Sequence, residues 1–261
     1  MATIHPTAIV SSSANIAEDV QIGPFCIVGK DVTLQSGVKL VSNVHIDGRT
    51  TIGKDTEVFH SAVIGTAPQD LKYGGEDTET IIGERCQIRE FATINRSSAV
   101  EEPTCVGNDC LLMAYSHVAH NCQIGNNVIL SNAVNLAGHV IVDDFVIVGG
   151  MTPVHQFVHI GAHAFIGGQS RISQDVPPFS KGGGIPYKIV GPNTIGLQRK
   201  GFAPEMIRQL KEFYRIIYRS NLNLTQAMQK IKAEFELQGA IEVCYRFIEN
   251  SSRGIAGKVK E

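Results

Sequence analysis

Aliphatic side chains recur at every sixth position along most of the chain, from Ile4 to Ile172. The series runs Ile4, Val10, Ile16, Ile22, Val28, Leu34, Leu40, Ile46, Ile52, Val58 and Ile64. It resumes at Ile82, Ile88 and Ile94, then continues from Val106 through Leu112, Val118, Ile124, Leu130, Leu136, Val142, Val148, Val154, Ile160 and Ile166 to Ile172. A helix repeats at about 3.6 residues and an alternating strand at about 2, so neither produces this spacing. Glycine commonly follows the aliphatic slot, as at Gly23, Gly53, Gly107 and Gly161. Small or β-branched residues such as Ala8, Cys26, Val38 and Ala164 lie four positions after it. This is the hexapeptide signature of a β-helix. It predicts a mainly β chain, a left-handed parallel β-helix, and the change of period beyond it adds a C-terminal α-helical domain. With three hexads per triangular coil, residues eighteen apart stack on neighbouring coils about 4.8 Å apart.

Two stretches break the rhythm. Asp70 and Glu76 occupy slots within QDLKYGGEDTET (69–80), and RSSAVEEPT (96–104) lacks the slot chemistry. Both are expected to leave the coil, and long excursions from a regular scaffold are often functional. Pro177-Pro178 marks the end of the solenoid, giving a β-helix over 1–180. Gly182-Gly183-Gly184, Pro186 and Pro192 predict an irregular connector over 181–196. Helical periodicity then takes over in 197–261. Pro204 suits a first helical turn before EMIRQLKEFYRIIYRS, and Asn223 with Gln226 reads as a capping box. IEVCYRFIENSS forms a third short helix, and the three are expected to cover the end of the β-helix or a neighbouring subunit.

Composition narrows the function classes. A formal charge of −2 over 261 residues argues against a nucleic-acid partner. No apolar run reaches the roughly 20 residues of a transmembrane segment, and the N-terminus lacks a basic region followed by an apolar core. A cytoplasmic protein is expected. Cys26, Cys86, Cys110 and Cys122 fall in the small core slot, while Cys105 and Cys244 have no metal-ligand spacing. No disulfide and no zinc site are expected from them.

Six of the nine histidines lie between residues 117 and 163. At eighteen residues per coil, His120 stacks on Gly138 and Gly138 on Gln156, while Asn121 stacks on His139. His117 shares a coil with His120, and His155 adjoins Gln156. These residues therefore gather on one edge over three coils. An imidazole there can take a proton from an attacking hydroxyl, and a backbone N–H at glycine can hold an oxyanion. Clustered histidines can alternatively bind zinc, as in hexapeptide-repeat carbonic anhydrases.

The run HVAHNCQIGNN…LAGHVIVDDFVIVGGMTPVHQFVHIGAHAFIGG resembles the UDP-N-acetylglucosamine 3-O-acyltransferases that begin lipid A synthesis. QDLKYGGE, IRE, QDVPPF and GLQRKGF resemble further blocks of that family, so the likeness spans essentially the whole chain. The resemblance implies transfer of an (R)-3-hydroxyacyl group from acyl carrier protein to the 3-hydroxyl of UDP-N-acetylglucosamine by a homotrimer, with no cofactor and no metal. It implies His120 as general base, the Gly138 N–H as oxyanion donor, and Asp70 and Lys72 as sugar-nucleotide contacts. His117, His139, His155 and Gln156 would line the sugar and acyl site. Asn193, Arg199 and Lys200 would bind the diphosphate end, and Gly168 would limit acyl length. The chain departs from the family at Asn121, where many members carry Asp, and at Ile195 and Ile185. Two alternatives stay open at this point: an N-acyltransferase or acetyltransferase on a related UDP-amino sugar, and a scaffold that only assembles with partners.

Overall fold

The computed structural model describes residues 1–257. The aliphatic slots close two-residue strands such as Gln21–Ile22, His117–Val118 and Ile129–Leu130, whose last side chain points inward and is buried. The strands stack into three long parallel sheets, the faces of a left-handed β-helix. Register follows the hexad arithmetic, with His117 paired to Asn135 and Ile141 to His159. The interior is one continuous cluster of aliphatic residues that also takes in Cys26, Cys86, Cys110 and Cys122. All six cysteines are free.

Corners make the turns sharp. The third residue after many slots has left-handed backbone, including Asn121, His139 and Phe157 at φ 58°, 59° and 63°. Such φ values cost a non-glycine residue on the order of 1 kcal/mol, and asparagine tolerates them best. Corner side chains consequently share one direction from coil to coil and form ladders along the edges.

The two rhythm breaks are excursions that preserve phase. Glu57 pairs with Gln87 across the first and Thr93 with His117 across the second. Both leave the same edge. The first lies between strands Val63–Thr66 and Glu79–Ile82, and the second between Thr93–Asn95 and Thr104–Val106. In each case the chain is passing from the second sheet to the third, as it also does at residues 119–122 and 137–140.

The stretch read as an irregular connector is ordered. Ser180–Gly183 adds a parallel strand to Phe165–Ile166 and then pairs antiparallel with Lys188–Pro192. Glycine fits there because a Cβ at Gly182 would stand 2.6 Å from the Tyr187 hydroxyl. A short helix α1 (Thr194–Arg199) follows, capped by Asn193. Helix α2 (Pro204–Arg219) has proline in its first turn, α3 (Leu224–Glu234) has the expected capping box, and α4 (Gly239–Asn250) completes the set. Their apolar faces form a second core around Leu210, Phe213, Ile217 and Ile241. The buried Tyr214 hydroxyl donates to the Pro178 carbonyl, tying α2 to the last coil. No described helix is long and apolar enough to cross a membrane.

Candidate active site

Stacking brings His120 and Gly138 into direct contact. A Cβ at Gly138 would lie 2.5 Å from His120 Cε1 and 2.6 Å from Nε2, so only glycine leaves room for the ring. His139 donates its backbone N–H to the His120 carbonyl at 3.0 Å. The two rings meet edge to face at 5.2 Å, and Phe157 stacks on His139 at 4.7 Å.

Hydrogen bonding sets the tautomer of His120. Its Nδ1 lies 2.8 Å from Asn121 Oδ1. That oxygen is fixed as an acceptor because the Ser98 backbone N–H donates to it at 3.1 Å and the Ser98 hydroxyl at 2.9 Å. The opposite end of the amide donates to Ser97 Oγ at 2.8 Å and to the Glu102 carbonyl at 3.1 Å. An amide oxygen only accepts, so the Nδ1 must donate. The lone pair is left on Nε2, and the Asp70 carboxylate of the first excursion stands 3.9 Å from that nitrogen. Both excursions therefore fold back onto His120.

Burial disfavours the charged form of the neighbouring imidazoles. Burial lowers the His117 pKa, with a smaller contribution from His120, and its Nδ1 is 2.7 Å from Thr93 Oγ1. Burial likewise lowers that of His139, followed by His120, while Glu102 and Asp70 pull it partly back. Glu102 Oε2 is 3.7 Å from His139 Nδ1. Gln156 and His155 are exposed on the next coil, where His155 Nδ1 lies 3.0 Å from the Gln156 carbonyl. Lys72 is exposed, and its backbone N–H donates to Asp70. Among the described residues, no group of three or more His, Cys, Asp or Glu is arranged to hold a metal ion.

Other residues picked out in the sequence stand on the other two edges. Gly168 follows strand Phe165–Ile166, where the chain passes from the first sheet to the second. Asn193 donates to the His163 carbonyl at 3.1 Å, and the Lys200 ammonium sits 4.6 Å from the Phe145 ring centroid. His163 and Phe145 occupy the remaining edge, between the third sheet and the first. Arg199 and Lys200 are exposed. Asn193 thus has a visible structural task, capping α1 and tying it to the β-helix. Sequence reasoning missed Thr93, Ser97, Ser98 and Glu102. The phase-preserving length of the excursions placed their roots on this edge, but their folding back was not written in any periodicity.

Asn121→Asp is expected to move the acidic limb of the pH–rate profile upward, since a carboxylate beside the imidazole favours its charged form. It also removes the two N–H donations to Ser97 and Glu102, at a cost of about 1–2 kcal/mol. A pH profile with a thermal melt reads both effects. An unmoved acidic limb would show that residue 121 is not coupled to the base.

A three-sheet β-helix of hexads with a histidine and a carboxylate on one edge fits a hexapeptide-repeat transferase, and the relatives agree. Residues 106–138 match the family described as bacterial transferase hexapeptide (six repeats). Residues 175–256 match UDP N-acetylglucosamine O-acyltransferase, domain 2. An acyl-[acyl-carrier-protein]–UDP-N-acetylglucosamine O-acyltransferase of Verminephrobacter eiseniae is 44% identical over 260 residues, covering 98% of this chain and 99% of the relative. One of the same name from Janthinobacterium sp. is 46% identical with the same coverage. The structure is similar to a UDP-N-acetylglucosamine acyltransferase of Bacteroides fragilis, with a TM-score of 0.94 at 40% identity over 97% of this chain and 99% of that one. The chain belongs to the acyl-[acyl-carrier-protein]–UDP-N-acetylglucosamine O-acyltransferase family.

Proposed function

We propose that this protein transfers an (R)-3-hydroxyacyl chain from acyl carrier protein to the 3-hydroxyl of UDP-N-acetylglucosamine in lipid A synthesis. The observation that carries the reading is His120, with Nδ1 donating to Asn121 and Nε2 free to accept. Nε2 takes the proton of the 3-hydroxyl as its oxygen attacks the thioester carbonyl. The Gly138 N–H holds the tetrahedral oxyanion. Collapse breaks the carbon–sulfur bond, and the departing thiolate recovers the proton from the imidazolium. The oxygen nucleophile comes from the sugar, so no covalent acyl-enzyme and no cofactor are needed. Asp70 and Lys72, on the excursion facing His120, would contact the sugar nucleotide, with His117, His139, His155 and Gln156 lining the site.

The homotrimer implied by the resemblance is part of this proposal, and the placement of the remaining groups supports a site shared between copies. Gly168, Asn193 and Lys200 lie on different edges from His120, and Arg199 adjoins Lys200 in the chain. A site that uses all of them must be completed by another copy of the chain. The carrier protein is the expected macromolecular partner, and the cytoplasm the expected compartment.

Gly168 is exposed at its corner, where a Cβ would meet the Gly150 carbonyl oxygen at 3.2 Å. A glycine there leaves groove space for a long chain, expected at ~14 carbons or more. Gly168→Met fills the volume of several methylenes, each worth about 0.8 kcal/mol of burial. It is expected to shift donor preference toward shorter chains with little change in sugar-nucleotide affinity. Measuring kcat/KM across a donor series checks this, and an unchanged ranking would place the length limit elsewhere.

The reaction itself is tested by product analysis after incubation with 3-hydroxyacyl carrier protein and UDP-N-acetylglucosamine. A 3-O-ester, cleaved by mild base, is expected. An amide formed only with a 3-amino sugar would favour N-acylation.

A further inference from the structure

The second excursion brings a carboxylate to a site whose histidine has an uncharged partner. Asn121 cannot offset the positive charge that develops on His120 as a carboxylate would. Glu102 reaches this place in two ways. Its carbonyl accepts from the Asn121 amide at 3.1 Å, and its Oε2 lies 3.4 Å from the same Nδ2. Oε2 is also 3.7 Å from His139 Nδ1, and the His139 ring packs against His120.

We propose that Glu102 is a positioning residue that supplies, from the excursion, the negative charge missing at position 121. It orients Asn121 through its carbonyl and supports the imidazolium of His120 across Asn121 and His139. The identities of residues 121 and 102 then explain one another. An aspartate at 121 would turn an oxygen toward the two oxygens of Glu102, whereas the amide turns a donor toward them. The proposal rests on His120 being the base. The charged and titratable groups around that ring are Asp70 at Nε2, His139 on the next coil, His117 on the same coil and Glu102 on the excursion. Asp70 stands at Nε2, the nitrogen that takes the proton, which leaves Glu102 as the carboxylate beside Asn121 and His139.

Glu102→Gln preserves the carbonyl contact and the side-chain size while removing the charge. The Glu102 side chain is 62% exposed, so the melting temperature is expected to stay near wild type. The kcat is expected to fall about tenfold, with the KM for UDP-N-acetylglucosamine little changed. The acidic limb of kcat/KM is expected to move to lower pH, because loss of a nearby anion disfavours the imidazolium. In a His120→Ala background the same change is expected to have no further effect. A fall in kcat with an unmoved limb, or an unchanged kcat, would overturn the proposal, as would an undiminished Glu102→Gln effect in the His120→Ala background. Near-normal turnover of His120→Ala alone would instead overturn the base assignment, which separates the two failures.

Discussion

His120→Ala is expected to lower kcat by roughly 10²–10⁴-fold, the range spanned by loss of a general base. The fold should survive. The ring is partly exposed at a corner, and the coil beneath it is held by the buried Val118 and Cys122. The carbonyl at residue 120 still accepts from the His139 N–H whatever side chain it bears. Circular dichroism should therefore match wild type while turnover collapses. Sugar-nucleotide affinity should change much less, because a proton acceptor is needed in the transition state more than in the ground state. Near-normal turnover of the purified variant would remove His120 from the mechanism.

Gly138→Ala should be nearly as damaging without removing any functional group. The new methyl would occupy the space of His120 Cε1 and Nε2, at 2.5 and 2.6 Å. One of them must move. Gly138 belongs to a coil locked by backbone bonds on both sides of it, His139 to His120 and Phe157 to Gly138 itself. The imidazole is the softer partner and should be displaced. A displacement near 1 Å costs on the order of 10²-fold when the reacting atoms must be aligned. The decisive comparison is the double variant, since Gly138→Ala should add little once His120 is already alanine. Additive losses would mean that Gly138 acts independently of the ring.

The hexad period carried most of the fold because one interior requirement, an aliphatic residue at the end of each short strand, repeats without change over the β-helix. It also placed His120 against Gly138 and Asn121 against His139, since stacking is simple arithmetic once the coil length is known. Three features lay beyond that arithmetic. The stretch around Gly182 and Pro186 has no hydrophobic period, yet its backbone finds partners on Phe165–Ile166 and is ordered. Asn193 stood out by family resemblance, whereas its capping of α1 and its bond to His163 depend on how the helices dock. Ser98 and Glu102 meet Asn121 only because the second excursion folds back on its own root, a tertiary event with no local signature.

Acyl carrier protein and UDP-N-acetylglucosamine are expected to react by direct transfer, with no acyl-enzyme between them. Thiol release from (R)-3-hydroxyacyl carrier protein, followed with and without UDP-N-acetylglucosamine, tests it most directly. Release that starts only on addition of the sugar nucleotide, and matches the ester formed mole for mole, is the predicted result. Release at the same rate without the sugar, or none with it present, would contradict the account.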